Sequence, residues 1–431
     1  MNTRQRLTPI LAVSLLNAPA WAQQGNSTED TSPLIINGNQ FNPAISVILD
    51  GIYGNFSRKT DAPAGFGEGN EAEHGDHGNE EHGHGVEEGF QLRETEVAIS
   101  GSIDPYLDAS VTAAIGDEGV ELEEAYVLTT ALPAGFRIKA GKFLSDVGYI
   151  NRQHPHSWDF VDQPWMRKFL FGDEGLNETG VQLAWVAPTA QYTRLGVEIL
   201  EGENEGVANQ LGDVEPGLEA STGPRLVTAF ATYAPNLGYD HALQLGISGG
   251  FTDAFQQRHE HEGNVEILQG DSWFAGVDTV YKYDAPGPGG RGDFKLQAEY
   301  LIRARDLEFQ EFTPNNDHFD AVGTPQTLRP KQDGAYVQGL YAIAGRWDAG
   351  LRLDAIGMAN KVFEGTEREE AGTSFRYTGQ LSYSPTEFSR FRTQLAYLDP
   401  DQGHAGGPSE NAWQFMLQYN LSLGAHGAHR F

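Results

Sequence analysis

Residues 413–423 read WQFMLQYNLSL. The odd positions are Trp413, Phe415, Leu417, Tyr419, Leu421 and Leu423, and the even ones are Gln414, Met416, Gln418, Asn420 and Ser422. An extended chain sends alternate side chains to opposite faces, so this stretch is a strand with one apolar and one mainly polar face. The same period recurs at 272–283, where Trp273, Ala275, Val277, Thr279, Tyr281 and Tyr283 oppose Asp278 and Lys282. At 294–303, Phe294, Leu296, Ala298, Tyr300 and Ile302 oppose Lys295, Gln297, Glu299 and Arg303. At 375–383, Phe375, Tyr377, Leu381 and Tyr383 oppose Arg376, Thr378, Gln380 and Ser382. No stretch carries a convincing helical period.

The connections alternate in length. Short ones at 103–105, 131–134, 188–190, 235–238, 286–290, 345–346 and 386–387 lie between long polar ones at 57–89, 144–176, 202–223, 252–270, 305–332, 358–372 and 399–410, with the brief 116–118 as the exception. About 16 strands with tight turns at one end and long loops at the other make an all-β, antiparallel transmembrane barrel, with short periplasmic turns and extracellular loops. A β-sandwich or propeller would also alternate, but would bury its apolar face between sheets. Three features favour the membrane. Tyr, Trp and Phe gather near strand ends, as interface girdles require. The N-terminus has a basic Arg4/Arg6 region, an apolar run from Leu7 to Leu16 and the small-x-small site Ala20-Trp21-Ala22, which together read as a secretory signal peptide over 1–22. The chain ends on Phe431, an aromatic terminus of the kind that outer-membrane barrels present to their insertion machinery. Residues 23–44 then form a short periplasmic leader and 45–431 the barrel.

The chain of 431 residues has a formal net charge of -31 and no cysteine. Such acidity opposes nucleic-acid binding, which needs a basic footprint. Absence of cysteine excludes a disulfide frame, a thiolate nucleophile and a Cys-based zinc site. The eight predicted loops hold 37 acidic and 11 basic residues. The barrel wall is therefore close to neutral and carries an acidic crown, placed among the divalent cations that bridge lipopolysaccharide.

The 13 histidines are uneven. Segment 71–88, EAEHGDHGNEEHGHGVEE, sets His74, His77, His82 and His84 among acids and glycines, without a fixed fold of its own. Imidazole with carboxylate suits Zn²⁺, Ni²⁺ or Cu²⁺. Two His-x-His pairs, His154/His156 and His259/His261, place two nitrogens on one side of an extended chain. All fall in predicted loops, which points to labile Zn²⁺ or another divalent cation and no tightly bound cofactor. A solvated surface loop is the bland alternative for each of these groups.

The third long loop, 144–176, is special because barrels of this size enclose an aqueous channel that an inward-folded loop can narrow. Its Trp158, Asp159 and Asp162 are the candidate constriction residues, the two aspartates favouring cations. Predicted lumen-facing cations are Arg137, Lys139, Lys282, Lys295, Arg352, Arg376, Arg390 and Arg392, with Asp354 among the opposing acids. Facing rows of opposite charge set a transverse field. Gly246-Ile247-Ser248-Gly249-Gly250 fits G-x-S-x-G but lies in a strand with no helix after it, so it is no nucleophile elbow. No nucleophile–His–carboxylate set stands at a plausible site, and the chain reads as a non-enzyme.

The segments FNPAISVILDGIYGNF, LEEAYVLTTALPAGFRIKAGKFLSDVGYINRQHPHSWDFVDQP and LSLGAHGAHRF resemble a group of proteobacterial outer-membrane proteins labelled zinc-regulated outer-membrane porins or, loosely, TonB-dependent receptors. The chain is more remotely similar to phosphate-selective 16-stranded porins. The resemblance implies an outer-membrane location, a pore and expression tied to zinc shortage. A TonB-dependent receptor would need about 22 strands and a folded plug domain, and only about 20 residues precede the first strand here. The leading expectation is therefore a porin, monomeric or homotrimeric, for passive uptake of small hydrophilic solutes, with acidic, His-bearing loops that concentrate divalent metal such as zinc. Two alternatives stand beside it: an anion (phosphate-type) porin using the inward Arg and Lys residues, and a closed structural or adhesion barrel.

Overall fold

The computed structural model describes residues 43–58, 63, 66, 86–116, 119–211, 216–218, 223–261, 263–315, 318–359, 361–364, 367–370, 372–401 and 411–424. The expectations for His74, His77, His82, His84, the signal peptide and Phe431 lie outside these residues.

Among them, 19 strands form one antiparallel sheet. They are β1 (Ala44–Phe56), β2 (Gly89–Asp104), β3 (Leu107–Gly116), β4 (Gly119–Thr129), β5 (Phe136–Leu144), β6 (Asn177–Val186), β7 (Tyr192–Leu200), β8 (Leu226–Ala234), β9 (His241–His261) and β10 (Asn264–Tyr283). The remainder are β11 (Phe294–Asn315), β12 (His318–Leu328), β13 (Lys331–Ala344), β14 (Trp347–Ile356), β15 (Lys361–Glu364), β16 (Glu367–Glu370), β17 (Ser374–Thr386), β18 (Ser389–Asp399) and β19 (Ala412–Gly424). Each strand pairs with its sequence neighbour, except that β12, β15 and β16 stand aside as loop hairpins. β11 pairs with β13 and β14 with β17. β19 pairs with β1 along Ser46↔Gly424 to Phe56↔Gln414, which closes a 16-stranded barrel. The fold is thus all-β and porin-like. Closure leaves no free sheet edge, the condition for strands in lipid.

The polarity of the barrel is inverted relative to a water-soluble protein. Large apolar side chains point outward: Leu351 is 74% exposed, Leu423 57% and Trp413 51%. On the same strands Asp354, Arg352, Asn420 and Gln418 are buried. An apolar exterior around a charged interior is stable only where lipid, not water, covers the outside.

Several expectations about the loops are corrected. Residues 252–270 form mostly strand: β9 and β10 continue past the membrane and pair Glu266 with His259 and Asn264 with His261. His259 therefore sits on a strand end. For His261 only the backbone is described. The segment 305–332 is likewise the β11–β12 hairpin, and 358–372 contains β15 and β16. Among the described residues these extensions bury only two small apolar clusters, Phe255/Leu268/Leu307 and Val265/Ile267/Phe312, so the regular alternation and its strand signal are lost. One short helix is also present, α1 (Trp165–Phe171), which begins after Pro164 and ends at Gly172.

Candidate functional site: the third loop inside the barrel

Residues 145–176, between β5 and β6, fold into the lumen. Their apolar side chains Val147, Ile150, Trp158, Met166 and Leu170 form the largest buried cluster, together with Phe143 of β5, Phe274 of β10 and Leu301 of β11. The hydrophobic core of the molecule therefore lies inside the barrel. Helix α1 approaches β13 so closely that a Cβ on Gly334 would stand 3.1 Å from the Met166 Cα.

Wall residues hold the loop backbone by hydrogen bonds. Glu299 accepts from the Tyr149 N–H (2.9 Å) and the Ile150 N–H (2.8 Å). Gly148, at φ +66, leaves the room that this contact needs, since a Cβ there would lie 2.5 Å from the Glu299 carboxylate. Glu198 accepts from the Asp146 N–H (3.0 Å), and Gln394 from the Val161 N–H (2.9 Å). Arg390 donates to the His156 carbonyl (2.6 Å), Arg392 to that of Trp158 (2.8 Å) and Arg303 to that of Leu170 (2.8 Å).

The far wall, β11 to β18, grips residues 159–165 through charge. Asp162 is paired with Arg352 (2.7 Å) and with Arg376. Both guanidiniums also bond Asp354, at 3.0 and 2.9 Å, and Asp354 accepts from the Trp165 N–H (2.9 Å). Two acids and two bases thus form a closed, neutral quartet. Asp159 is paired with Lys295 (2.7 Å) and bonded by Gln338 (2.8 Å). Burial opposes ionisation of Asp162, but Arg352 and Arg376 outweigh it and hold its carboxyl well below the usual aspartate range. Asp159 is shifted the same way, with Lys295 as the main opposing charge to burial. The two candidate constriction carboxylates are thus each paired with wall cations. The expectation for Trp158 is corrected. Its indole is 1% exposed, lies against the Arg93 and Arg167 guanidiniums, and donates to the Gln153 carbonyl, so it packs the loop and does not line a path.

The near wall, β2 to β4, grips residues 154–156 differently. The His154 Nε2 is 3.0 Å from Glu124, and its Nδ1 is 3.5 Å from Glu123 and 3.7 Å from Glu96. The His156 Nδ1 is 2.8 Å from the same Glu96 oxygen. The two imidazoles are nearly parallel, at 12°, with Pro155 between them. Two overlapping donor sets result, Glu94/Glu96/His156 and Glu96/Glu123/His154, and in each the ligand atoms lie within 4.8 Å of one another. Burial alone would lower the His154 imidazole, but Glu123, Glu124 and Glu96 raise it well above its ordinary value.

Two β-bulges make this geometry. Between β3 and β4 the register passes from Thr112↔Glu124 to Ala113↔Leu122, so Glu123 is the extra residue and both adjacent glutamates reach inward. Between β1 and β2 it passes from Asp50↔Glu94 to Gly51↔Leu92, and the extra residue is Arg93, which turns in to pair with Asp50 and donate to the Val161 carbonyl (2.7 Å).

The remaining predicted lumen residues fall as follows. Lys139 is buried over the Tyr126 and Phe143 rings. Lys282 shares the inward face of β10 with the buried Asp278 and Val280. Arg137 is exposed near the short-turn end of β5. The sequence reading did not single out Arg93, Glu123, Glu124, Gln338 and Gln394 as loop-holding residues. Only the strand phase of β13 and β18 could have flagged the two glutamines.

No family model matches the chain. A protein of Aquifex aeolicus (strain VF5), described as an uncharacterized protein, is 32% identical over 409 residues, covering 91% of this chain and 80% of that one. Among solved structures, the loop L8 deletion mutant of OmpT, an outer membrane protein of Vibrio cholerae, matches with a TM-score of 0.52 at 11% identity, over 89% of this chain and 99% of its own. Pseudomonas putida OprB in its high-pH structure matches with a TM-score of 0.50 at 9% identity, over 89% and 94%. At these identities the two structures speak to the fold, an outer-membrane barrel of the porin type.

Proposed function

We propose that this chain, which belongs to one family with the Aquifex aeolicus protein, is an outer-membrane channel for passive uptake of small hydrophilic solutes, with a bore narrowed by residues 144–176. One observation carries the reading: a loop inside a closed barrel, fastened to two separate arcs of the wall, by Glu96–His156 on one and Arg352–Asp162 on the other. Such a loop sets the size and charge of whatever passes. The acidic crown raises the local concentration of cations at the mouth. Its composition and the resemblance to zinc-regulated porins support zinc as the divalent cation concerned.

The reading is tested with purified protein in planar lipid bilayers. Small, discrete current steps are expected, and they grow when 144–176 is shortened. Absence of steps from both proteins would sink the channel and leave a closed structural barrel. A second reading, anion selectivity, is favoured by Arg390 and Arg392, whose bonds to the loop are to carbonyl oxygens and not to carboxylates. The sign of the reversal potential in a salt gradient separates the two.

A further inference from the structure

We propose that the third loop and the β2–β4 wall build a binding site for one divalent transition-metal ion of the zinc class, with Glu96, Glu123 and His154 as ligands and His156 and Glu94 as the overlapping set. This deepens the cation-handling part of the reading above and rests on it for its physiological meaning. Binding itself stands on geometry.

Four observations carry the proposal. The first is spacing. Around a tetrahedral ion with bonds of about 2.0–2.2 Å, ligand atoms stand roughly 3.3–3.6 Å apart. The His154 Nδ1 is 3.5 Å from Glu123 and 3.7 Å from Glu96. The second is the orientation of His154. Its other nitrogen, Nε2, meets Glu124 at 3.0 Å. A carboxylate on the far ring nitrogen is the arrangement that fixes the tautomer of a metal-bound histidine and aims its lone pair at the ion. The third is charge. Glu94, Glu96, Glu123 and Glu124 converge on two imidazoles in a site where Glu94, Glu96 and Glu123 are buried. A divalent ion is favoured among so many carboxylates, even with Lys139 near Glu124, and mixed imidazole and carboxylate donors select zinc, nickel or copper over magnesium and calcium. The fourth is construction. Glu123 faces inward only because the β3–β4 register slips by one residue, a device that re-aims a side chain. Both donor sets use Glu96, so the site takes one ion. Three protein ligands leave a coordination position open, which suits an ion that must exchange.

The ligands come from β2, β4 and the loop, so the ion would staple the loop to the near wall. The test uses the full mature protein in detergent, with His74, His77, His82 and His84 replaced by alanine so that the crown does not contribute. Zinc content after gel filtration and titration calorimetry with Zn²⁺ are measured, with Mg²⁺ as the control. One zinc per chain is expected, with no competition by equimolar Mg²⁺. His154→Ala/His156→Ala should weaken binding at least 100-fold. Glu124→Gln should weaken it 10–100-fold while leaving the ligands in place. Heat-modifiable gel mobility reports that each variant is a folded barrel, and zinc-edge absorption of the parent should show imidazole scattering that His154→Ala/His156→Ala loses. A folded parent that takes up no zinc overturns the proposal, as does unchanged affinity after both histidines are removed. A zinc-loaded barrel that passes no current would sink the channel reading and leave the site standing.

Discussion

The two walls that hold the third loop solve the same problem with different chemistry. On the far wall the loop carboxylates are answered by protein: Asp162 and Asp354 face Arg352 and Arg376, and Asp159 faces Lys295. On the near wall Glu94, Glu96, Glu123 and Glu124 face two imidazoles. The far wall is complete as a protein interaction. The near wall relies on imidazoles, whose charge changes when a proton or a cation joins them. A loop with one permanent anchor and one conditional anchor can respond to its surroundings at one edge without leaving the barrel.

Removing the permanent anchor should have the largest effect. Asp162→Ala leaves Arg352 and Arg376 sharing Asp354 alone in a buried site, and breaking a buried pair in this way costs about 3–5 kcal/mol. Limited proteolysis within 144–176 and a larger single-channel conductance would report the released loop. Unchanged protease resistance would show that the quartet is not what holds it. Next comes the conditional anchor, where Glu124→Gln is expected to cost 10–100-fold in zinc affinity, which calorimetry reads directly. If affinity is unaltered, Glu124 does not orient His154. Asp159→Asn should follow, at about 1.5–3 kcal/mol for a charge-assisted bond to Lys295. Freeing the Lys295 charge should also move the reversal potential toward anions, and a shift toward cations would contradict the assignment.

The smallest effect is expected from pH. Asp162 has a depressed folded value, so its contribution is fully present above the unfolded aspartate value of about 3.9 and is lost as pH falls through the folded one. The Asp162 contribution to conductance should therefore be flat from pH 7 to about 4 and change only in stronger acid. If the conductance difference between the parent and Asp162→Ala changed between pH 7 and 4, the quartet would not be the permanent anchor.

The barrel was legible in the alternation of stretches such as WQFMLQYNLSL, because within the membrane one face must be apolar and the other need not be. The strand extension at 252–261 was illegible because its apolar alternation is broken: Phe255 is buried against Leu268 and Leu307, but the following residues, Gln256 to His261, are all polar. The third loop announced itself through its aromatic residues and aspartates, and His154 and His156 through their spacing. Their partners did not. If Glu124 faces inward, a period of two sends Glu123 to the lipid, and only the bulge reverses that. Arg93 was hidden by the matching irregularity in β2. That β2 and β18 both reach one loop follows from closure of the ring, which no local pattern reports.

The order of synthesis also matters. The residues that hold the loop backbone from the far wall lie up to 234 positions later in the chain, as with Arg390 on His156 and Arg392 on Trp158. Contacts so distant in sequence form late, after the chain entropy of closing the ring has been met. The loop therefore cannot be locked until the last strands are in place beside the first. A variant that weakens the far wall should therefore leave the loop unlocked in the finished barrel, and a leak during growth is the readout that would report it.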